Sequence, residues 1–211
     1  MLLQVAELNR GHKGDGSPFT AFEYHLEEYV KLQLDEFYPQ AGFWGEEKGD
    51  LSNDQEIQII IDPIDGTRSF LCGFDSFAMA MSVVKQKKPL FSAICAPATG
   101  DIGFRVDDQP SKLLQLPLEG GKLHMVDLPI FPPDEQSPVL LNVHASPKAK
   151  FHLNRFYDLW EQKKIALIKS TSGSPSLAIL EAAKGASIYF NLWETGSDKP
   201  YDLLPAHHLL M

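Results

Sequence analysis

Cysteine is scarce in this sequence, and Cys72 and Cys95 are the only two among 211 residues. Two cysteines cannot build a disulfide framework, and so few are typical of a reducing, cytoplasmic compartment. Long apolar runs are missing as well, since no uninterrupted stretch approaches the roughly 18 residues that a membrane span requires. The N-terminus reaches a charge at Glu7 and has no small-residue cleavage site. We therefore expect neither a signal peptide nor a membrane partner.

Basic charge is also in short supply. The chain has 19 lysines and arginines against 28 aspartates and glutamates, a formal net charge of −9. Proteins that bind a nucleic acid duplex usually present a basic patch, and the lysines within 85–88 are more typical of a solvated hairpin turn. We expect no nucleic acid partner. The more informative feature is the clustered acids, which are either ordinary surface or a site for divalent cations.

The composition is otherwise that of a globular protein, and the first half of the chain predicts an α+β arrangement. Apolar residues recur with a helical period over 20–37, after a capping box. A short β-branched run over 56–62 predicts a buried strand that Pro63 halts. Three further strands within 77–106, joined by short polar turns, predict an antiparallel meander. The proline-rich stretch 107–136 is a linker, an edge excursion of the sheet, or both.

The pattern changes after this stretch. From 138 to 211, strand and helix alternate three times, which is typical of an α/β arrangement. We therefore divide the chain into an N-terminal metal-binding α+β half, 1–136, and a C-terminal α/β half, 137–211.

The chemistry is concentrated in the segments GFWGEEKGD and DPIDGTRSF. Asp62 follows a buried strand, where the ligand sites of α/β sheets gather. Asp65 follows after a turn, so both carboxylates can face one point, and Glu46 and Glu47 lie just upstream. At ~4 Å and an effective dielectric constant of ~20, each carboxylate pair costs roughly 4 kcal/mol. A hard cation such as Mg²⁺ removes this repulsion.

Simpler interpretations exist for each acid taken alone. Asp65 is explained as a helix N-cap and Asp62 as a turn former before proline. Glu23 is explained equally by the capping box with Thr20. The string DPIDGT after a hydrophobic strand, with GEE upstream, favours a metal site beside an anion-binding helix start, which suggests phosphoryl chemistry by metal-activated water.

Several segments together resemble the inositol monophosphatase-like family of Mg²⁺-dependent, lithium-sensitive phosphomonoesterases. The most specific are GEE at 45–47 and DPIDGT at 62–67. SPFTAFE at 17–23 resembles the family's PVTEAD segment, with Glu23 in place of an aspartate. SGSPSLAILEAAKGASIYF at 172–190 and KPYDLLPAHHLL at 199–210 are similar to two later motifs.

The resemblance implies a metal-ligand set. Two or three Mg²⁺ ions, with Mn²⁺ as a substitute, would be held by four carboxylates and one backbone carbonyl. These ligands are Glu46, Asp62, Asp65, Asp202 and the carbonyl of Ile64.

The resemblance also implies catalytic and substrate-binding roles. Thr67, held by Glu23, would orient the nucleophilic water, with Glu46 and Asp65 completing the catalytic set. Ser174 is either a helix cap or a substrate contact, and Asn191 stands where inositol-type members carry a glutamate. The expected substrate and phosphate contacts are Gly66, Thr67, Arg68, Ser174 and Asn191.

The fold implied by the resemblance is a layered αβαβα sandwich, with an antiparallel meander half and a mixed-sheet half. The implied activity is hydrolysis of a small phosphate ester, such as inositol monophosphate or histidinol phosphate, by a cytoplasmic homodimer. The segment DGTRSF resembles histidinol-phosphatase-type members more than inositol-type members. Nucleotide 3′-phosphates are a further candidate class of substrate. The resemblance also implies a chain that is truncated at both ends relative to the family. The alternative is therefore a catalytically weak homologue that acts as a metal-binding or assembly protein.

Overall fold

The computed structural model describes most of the chain, in ranges separated by short gaps. Within these ranges it contains five helices and thirteen strands. The described ranges are 10–12, 18–47, 49–50, 55–117, 120–132, 134, 137–142, 147–171, 173–185, 188–191 and 200–210. The helices are α1 (Ala21–Phe37), α2 (Thr67–Leu71), α3 (Pro147–Glu161), α4 (Pro175–Ala183) and α5 (Pro200–Leu210). The strands are β1 (Arg10–His12), β2 (Pro18–Thr20), β3 (Gly42–Gly45), β4 (Gly49–Asp50), β5 (Ile57–Asp65), β6 (Ala78–Lys85), β7 (Lys88–Ala96), β8 (Asp101–Val106), β9 (Lys112–Gln115), β10 (His124–Asp127), β11 (Val139–Asn142), β12 (Ile168–Thr171) and β13 (Ile188–Asn191).

Eight strands form one large sheet in the order β10-β9-β8-β7-β6-β5-β3-β4. Consecutive strands from β5 to β10 pair antiparallel, which confirms the meander predicted over 77–106. The stretch 107–136 contains β9 and β10, so the expectation of an edge excursion is confirmed. Strand β3 is the exception, because it pairs in parallel with β5.

The prediction that Pro63 halts the central strand is wrong. Strand β5 continues through the proline to Asp65. The reason is an irregularity in the pairing with β6, where the register shifts between Asp62 and Asp65. A proline cannot donate to the ladder and is tolerated at such a bulge. The two aspartates lie on either side of this irregularity, and both belong to the strand.

The second sheet has the order β12-β11-β13. The resemblance implies a mixed-sheet half here, and the three strands that the structure describes all pair in parallel. Helix α3 connects β11 to β12, and α4 connects β12 to β13, so each crossover returns the chain in the same direction. The predicted alternation of strand and helix is confirmed.

Both faces of the large sheet are covered. Helix α1 packs on one face through Val30 and Leu34, which lie against Phe43, Ile59 and Ile61. Helices α4 and α5 pack on the other face, and α4 also contacts β11 and β13 of the second sheet. This arrangement confirms the layered α/β fold. The second core consists of Ala78, Ala80, Ile94, Ala96, Leu113, Ile179, Leu180, Ala183 and Leu209.

The two predicted halves share this second core, since α4 and α5 lie in 137–211 and the sheet lies in 1–136. The division of the chain into two halves stays a prediction. No helix among the described residues is both long enough and apolar enough to traverse a membrane.

Candidate active site

The acidic segments meet because β3 and β5 are parallel neighbours. Gly45, the last residue of β3, pairs with Ile61, which directly precedes Asp62. The carboxyl ends of parallel strands lie at the same edge of a sheet, which is where α/β proteins place their ligands. The turn of Glu46 and Glu47 therefore comes out of the sheet beside the end of β5.

Asp62 is buried, with only 2% of its surface exposed. Its Oδ1 accepts a hydrogen bond of 2.9 Å from the amide of Ile64. This local bond across the proline agrees with the turn-forming role. It leaves the predicted metal-binding role of Asp62 open.

Asp65 is buried as well, and it contacts a distant part of the chain. Its Oδ2 accepts hydrogen bonds from the hydroxyl of Ser174 at 2.8 Å and from the amide of Ser176 at 2.5 Å. Burial, with a smaller contribution from the negative charge of Glu46, raises the pKa of Asp65 to about 6, although these hydrogen bonds oppose the shift. The alternative that Asp65 caps α2 is wrong, because Gly66 occupies the N-cap and no side chain caps that helix.

Both the backbone conformation and the surroundings of position 66 require a glycine. Its φ is +95°, in the left-handed region that favours glycine. A Cβ at this position would lie 2.9 Å from the carbonyl oxygen of Gly173 and 3.0 Å from that of Ser76. The turn between β5 and α2 therefore packs directly against the segment that leads into α4.

Thr67 and Glu23 form the side-chain pair predicted to orient water. The Thr67 hydroxyl donates a hydrogen bond of 2.7 Å to Oε1 of Glu23 and lies 3.2 Å from the carbonyl of Ile64. The other oxygen of Glu23 accepts the amide of Thr20 at 2.5 Å, which confirms the capping box. Burial raises the pKa of Glu23, although these hydrogen bonds oppose the shift. Glu23 therefore serves the helix cap and Thr67 at once.

The predicted substrate contacts lie in different surroundings. Ser174 is the N-cap of α4, where its hydroxyl accepts from the amide of Leu177 while it donates to Asp65. Arg68 is exposed on α2. Asn191 ends β13, and its side chain lies outside the described part of the structure. Their contacts with substrate stay predictions.

Two groups at the site are absent from the sequence-based predictions. Glu27, one turn after Glu23 on the same face of α1, is fully buried and accepts the amide of Glu47. The spacing of four residues between two glutamates was the available signal. The amide of Ser176, which donates to Asp65, left no signal, because a backbone group is independent of residue type.

The donor groups at this edge of the sheet fit a hard cation by their chemistry. They are carboxylate and carbonyl oxygens, and the negative charge of Glu46 acts on the buried carboxyl group of Asp65. Within the described residues, no three Asp, Glu, His or Cys side chains are grouped as a metal site. Asp202 lies in helix α5, as predicted. Its side chain is outside the described part of the structure.

The fold and the site define a layered α/β protein with acidic residues at the edge where two parallel strands end. The profile of the inositol monophosphatase family matches residues 3–210, and the protein belongs to this family. The resemblance inferred from GEE and DPIDGT is thereby confirmed.

Similarity to individual proteins extends over parts of the chain. A fructose-1,6-bisphosphatase/inositol-1-monophosphatase of Aquifex aeolicus is 31% identical over 94 residues, which cover 44% of this chain and 36% of that protein. The chain thus spans about a third of the length of this curated relative.

Solved structures match over nearly the whole chain. The extragenic suppressor protein SuhB of Bartonella henselae matches with a TM-score of 0.76 at 18% identity, over 99% of this chain and 76% of that chain. An IMPase/NADP phosphatase in complex with Mg²⁺ and phosphate matches with a TM-score of 0.73 at 17% identity, over 99% and 74%. At these identities the likeness establishes the fold.

Proposed function

We propose that this protein is a Mg²⁺-dependent phosphomonoesterase that hydrolyses a small phosphate ester. The observation that carries the proposal is the hydrogen bond between Thr67 and Glu23, where Thr67 follows the buried Asp65 by two residues in the chain. Family membership supports it, as does the similarity to the fructose-1,6-bisphosphatase/inositol-1-monophosphatase of Aquifex aeolicus.

The metal would be held by oxygen ligands at the ends of β3, β5 and the start of α5. When bound, Mg²⁺ supplies charge neutralisation for the phosphate and makes a water molecule more acidic. Two or three ions are proposed, with Mn²⁺ as a substitute, and the solved IMPase/NADP phosphatase with Mg²⁺ and phosphate supports the metal. The proposed ligands are Glu46, Asp62, Asp65, Asp202 and the Ile64 carbonyl.

The protein's own groups would position and deprotonate the attacking water. Because the Thr67 proton is donated to Glu23, a lone pair of the Thr67 oxygen can accept a hydrogen bond from water. As the water oxygen bonds to phosphorus, its proton passes to Thr67 Oγ1 and the threonine proton passes to Glu23 Oε1. The bond from phosphorus to the ester oxygen breaks, and the leaving alkoxide takes a proton from solvent. Burial raises the pKa of Glu23, which makes it a better proton acceptor than an exposed carboxylate.

The phosphate would bind at the start of α2. Backbone amides in the first turn of a helix have no partner within the helix and favour anions. The amides of Gly66 and Thr67 are the proposed donors, and exposed Arg68 follows them directly in sequence. Ser174 and Asn191 are proposed as further contacts to the substrate.

The substrate is proposed from the residues at two positions. Arg68 in DGTRSF and Asn191, where inositol-type members carry a glutamate, both favour an ester other than inositol monophosphate. Phosphate release from inositol monophosphate, histidinol phosphate, phosphoadenosine phosphate and fructose bisphosphate, measured side by side, would rank these candidates.

The same assay tests the proposal as a whole. Phosphate release by the full chain should require Mg²⁺, fall in millimolar Li⁺ and disappear in excess chelator. Full activity in excess chelator would overturn the metal mechanism. Calorimetry that shows Mg²⁺ binding without turnover of any ester would favour the metal-binding or assembly protein instead.

We further propose that the protein is a cytoplasmic homodimer. Cys72 and Cys95 are both free thiols, which supports a reducing compartment.

The edge strand β10 and its flanks expose apolar side chains, with Leu123 63% and Met125 59% exposed. A second copy of the chain would cover such a surface. Sedimentation equilibrium tests the dimer.

A further inference from the structure

Glu27 has no part in the proposed chemistry, yet it is one of the most deeply buried charged residues described. It lies on α1 with 0% of its surface exposed, one turn beyond Glu23. Burial of a carboxylate is costly unless the group is hydrogen-bonded. The contacts of the Glu27 carboxylate therefore indicate its role in the structure.

One contact reaches the turn after β3. Oε2 of Glu27 accepts a hydrogen bond of 2.9 Å from the backbone amide of Glu47. The two residues are 20 positions apart, and Glu46 lies between strand β3 and the bonded amide. The bond therefore fixes the backbone on one side of Glu46, while the pairing of β3 with β5 fixes it on the other.

A second contact explains a glycine. A Cβ built on Gly45 would overlap the Glu27 carboxylate at Cδ and both oxygens. Gly45 is outside the left-handed region, so its backbone conformation alone would accept alanine. Glycine at this position therefore leaves room for the Glu27 carboxylate, which packs directly against the strand backbone.

We propose that Glu27 is a positioning residue of the active site: it holds the turn of Glu46 and Glu47 and so places the Glu46 carboxylate beside Asp65. The proposal rests on the proposed function, because Glu46 matters here as a metal ligand. Side chains that support metal ligands in this way typically change metal affinity 10–100-fold when they are removed.

Mg²⁺ titration calorimetry of the full chain, without substrate, tests the proposal. Glu27→Ala should bind Mg²⁺ about 10–100-fold more weakly than the wild type. Glu27→Gln keeps the volume and an acceptor oxygen for the Glu47 amide, so its affinity should stay close to that of the wild type. Ser82→Ala, which removes a fully buried hydroxyl bonded to Ser92, is the matched control and should lower the melting temperature but leave Mg²⁺ affinity unchanged.

A double-mutant cycle with Gly45 adds a readout that general destabilisation would not produce. Gly45→Ala in the wild-type background should weaken Mg²⁺ binding, because its methyl group displaces the Glu27 carboxylate. In the Glu27→Ala background the same change meets no carboxylate, so it should weaken binding no further. Such coupling is expected of residues in direct contact.

The outcomes separate this proposal from the proposed function. Wild-type Mg²⁺ affinity in folded Glu27→Ala, or additive effects in the cycle, would overturn the role of Glu27 alone. A wild-type chain that binds no Mg²⁺ and hydrolyses no ester would overturn both. If Glu27→Ala does not fold, Gly45→Ala and Glu27→Gln decide the matter: the first must lose Mg²⁺ affinity and the second must retain it.

Discussion

Thr67 and Glu23 lie 44 residues apart in the chain, yet the Thr67 hydroxyl donates a 2.7 Å hydrogen bond to Oε1 of Glu23. The second oxygen of the same carboxylate caps α1 through the amide of Thr20. One side chain thus joins the start of α1 to the start of α2. Because the helix cap and the proposed catalytic pair use different oxygen atoms of Glu23, a mutation can separate the two roles.

Glu23→Gln should separate the two roles. Glutamine serves in a capping box as glutamate does, so the free energy of unfolding should change by less than about 1 kcal/mol. Loss of the anionic proton acceptor should lower kcat for phosphate release by about 10²–10⁴-fold. Urea unfolding and a phosphate-release assay give both values.

The control for the cap is Thr20→Ala. It removes the hydroxyl that accepts the amide of Glu23 and should cost about 0.5–2 kcal/mol of stability. Undiminished kcat in Glu23→Gln would show that this carboxylate takes no proton.

Gly66→Ala should destabilise the protein. A non-glycine residue held at a φ of +95° is strained by about 1–3 kcal/mol. The added Cβ also meets the carbonyl oxygens of Gly173 and Ser76. Gly120→Ala is the matched control, because its φ is also positive but nothing lies within 4 Å of the added Cβ. Equal losses in urea unfolding would contradict the steric part of the explanation.

The Asp101–Lys184 ion pair should stabilise the protein at neutral pH and weaken in acid. The two side chains are 7% and 19% exposed, and their charged atoms are 2.5 Å apart. Burial opposes ionisation of Asp101, but hydrogen bonds from Lys184 and Gln115 outweigh it and hold its pKa below the usual value. A carboxylate whose pKa is lowered on folding stabilises the protein above its unfolded pKa of about 3.9. The contribution is lost as the pH falls through the folded pKa.

Asp101→Asn should therefore cost about 1–3 kcal/mol near neutral pH, and the difference from the wild type should shrink below about pH 4. Denaturant unfolding at several pH values measures it. Asp35→Asn breaks the more exposed Lys31–Asp35 pair and should cost no more than about 0.5 kcal/mol. A difference that grows in acid would contradict the assigned shift.

His208 should make stability fall between neutral and mildly acidic pH. Nε2 donates to the carbonyl of Asp107 at 3.0 Å, and Nδ1 lies 3.0 Å from the Ser92 hydroxyl, which can donate to it when the ring is neutral. Burial lowers the pKa of His208, and the bond to Asp107 only partly opposes this. Because the pKa is lowered on folding, the contribution of His208 to the free energy of unfolding is complete above the unfolded pKa of about 6.5. It is lost as the pH falls toward the folded pKa.

His208→Gln keeps a polar group at this position but does not titrate. Between about pH 7.5 and pH 5.5, the wild type should lose more unfolding free energy than this variant does. Parallel pH profiles for the two proteins would show that His208 is protonated with equal ease in the folded and unfolded chains.

The predictions that succeeded rest on local patterns. The capping box at Thr20 and Glu23, the meander and the alternating strands and helices all follow from spacing within a few residues. The prediction at Pro63 failed because it depends on a bulge, and the partner strand β6 decides whether a proline can be accommodated there. Glu27 was missed because its role depends on a contact 20 residues away.

The order of the residues is enough to identify the carboxylates, the strands and helices that carry most of them, and the hard cation that their oxygen atoms suit. The pairing of these groups, in contrast, follows from the packing of distant segments. Asp65 contacts Ser174 across 109 residues, and Thr67 contacts Glu23 across 44. Such pairs depend on how helices and sheets pack against one another, and packing is a property of the whole chain rather than of any one segment.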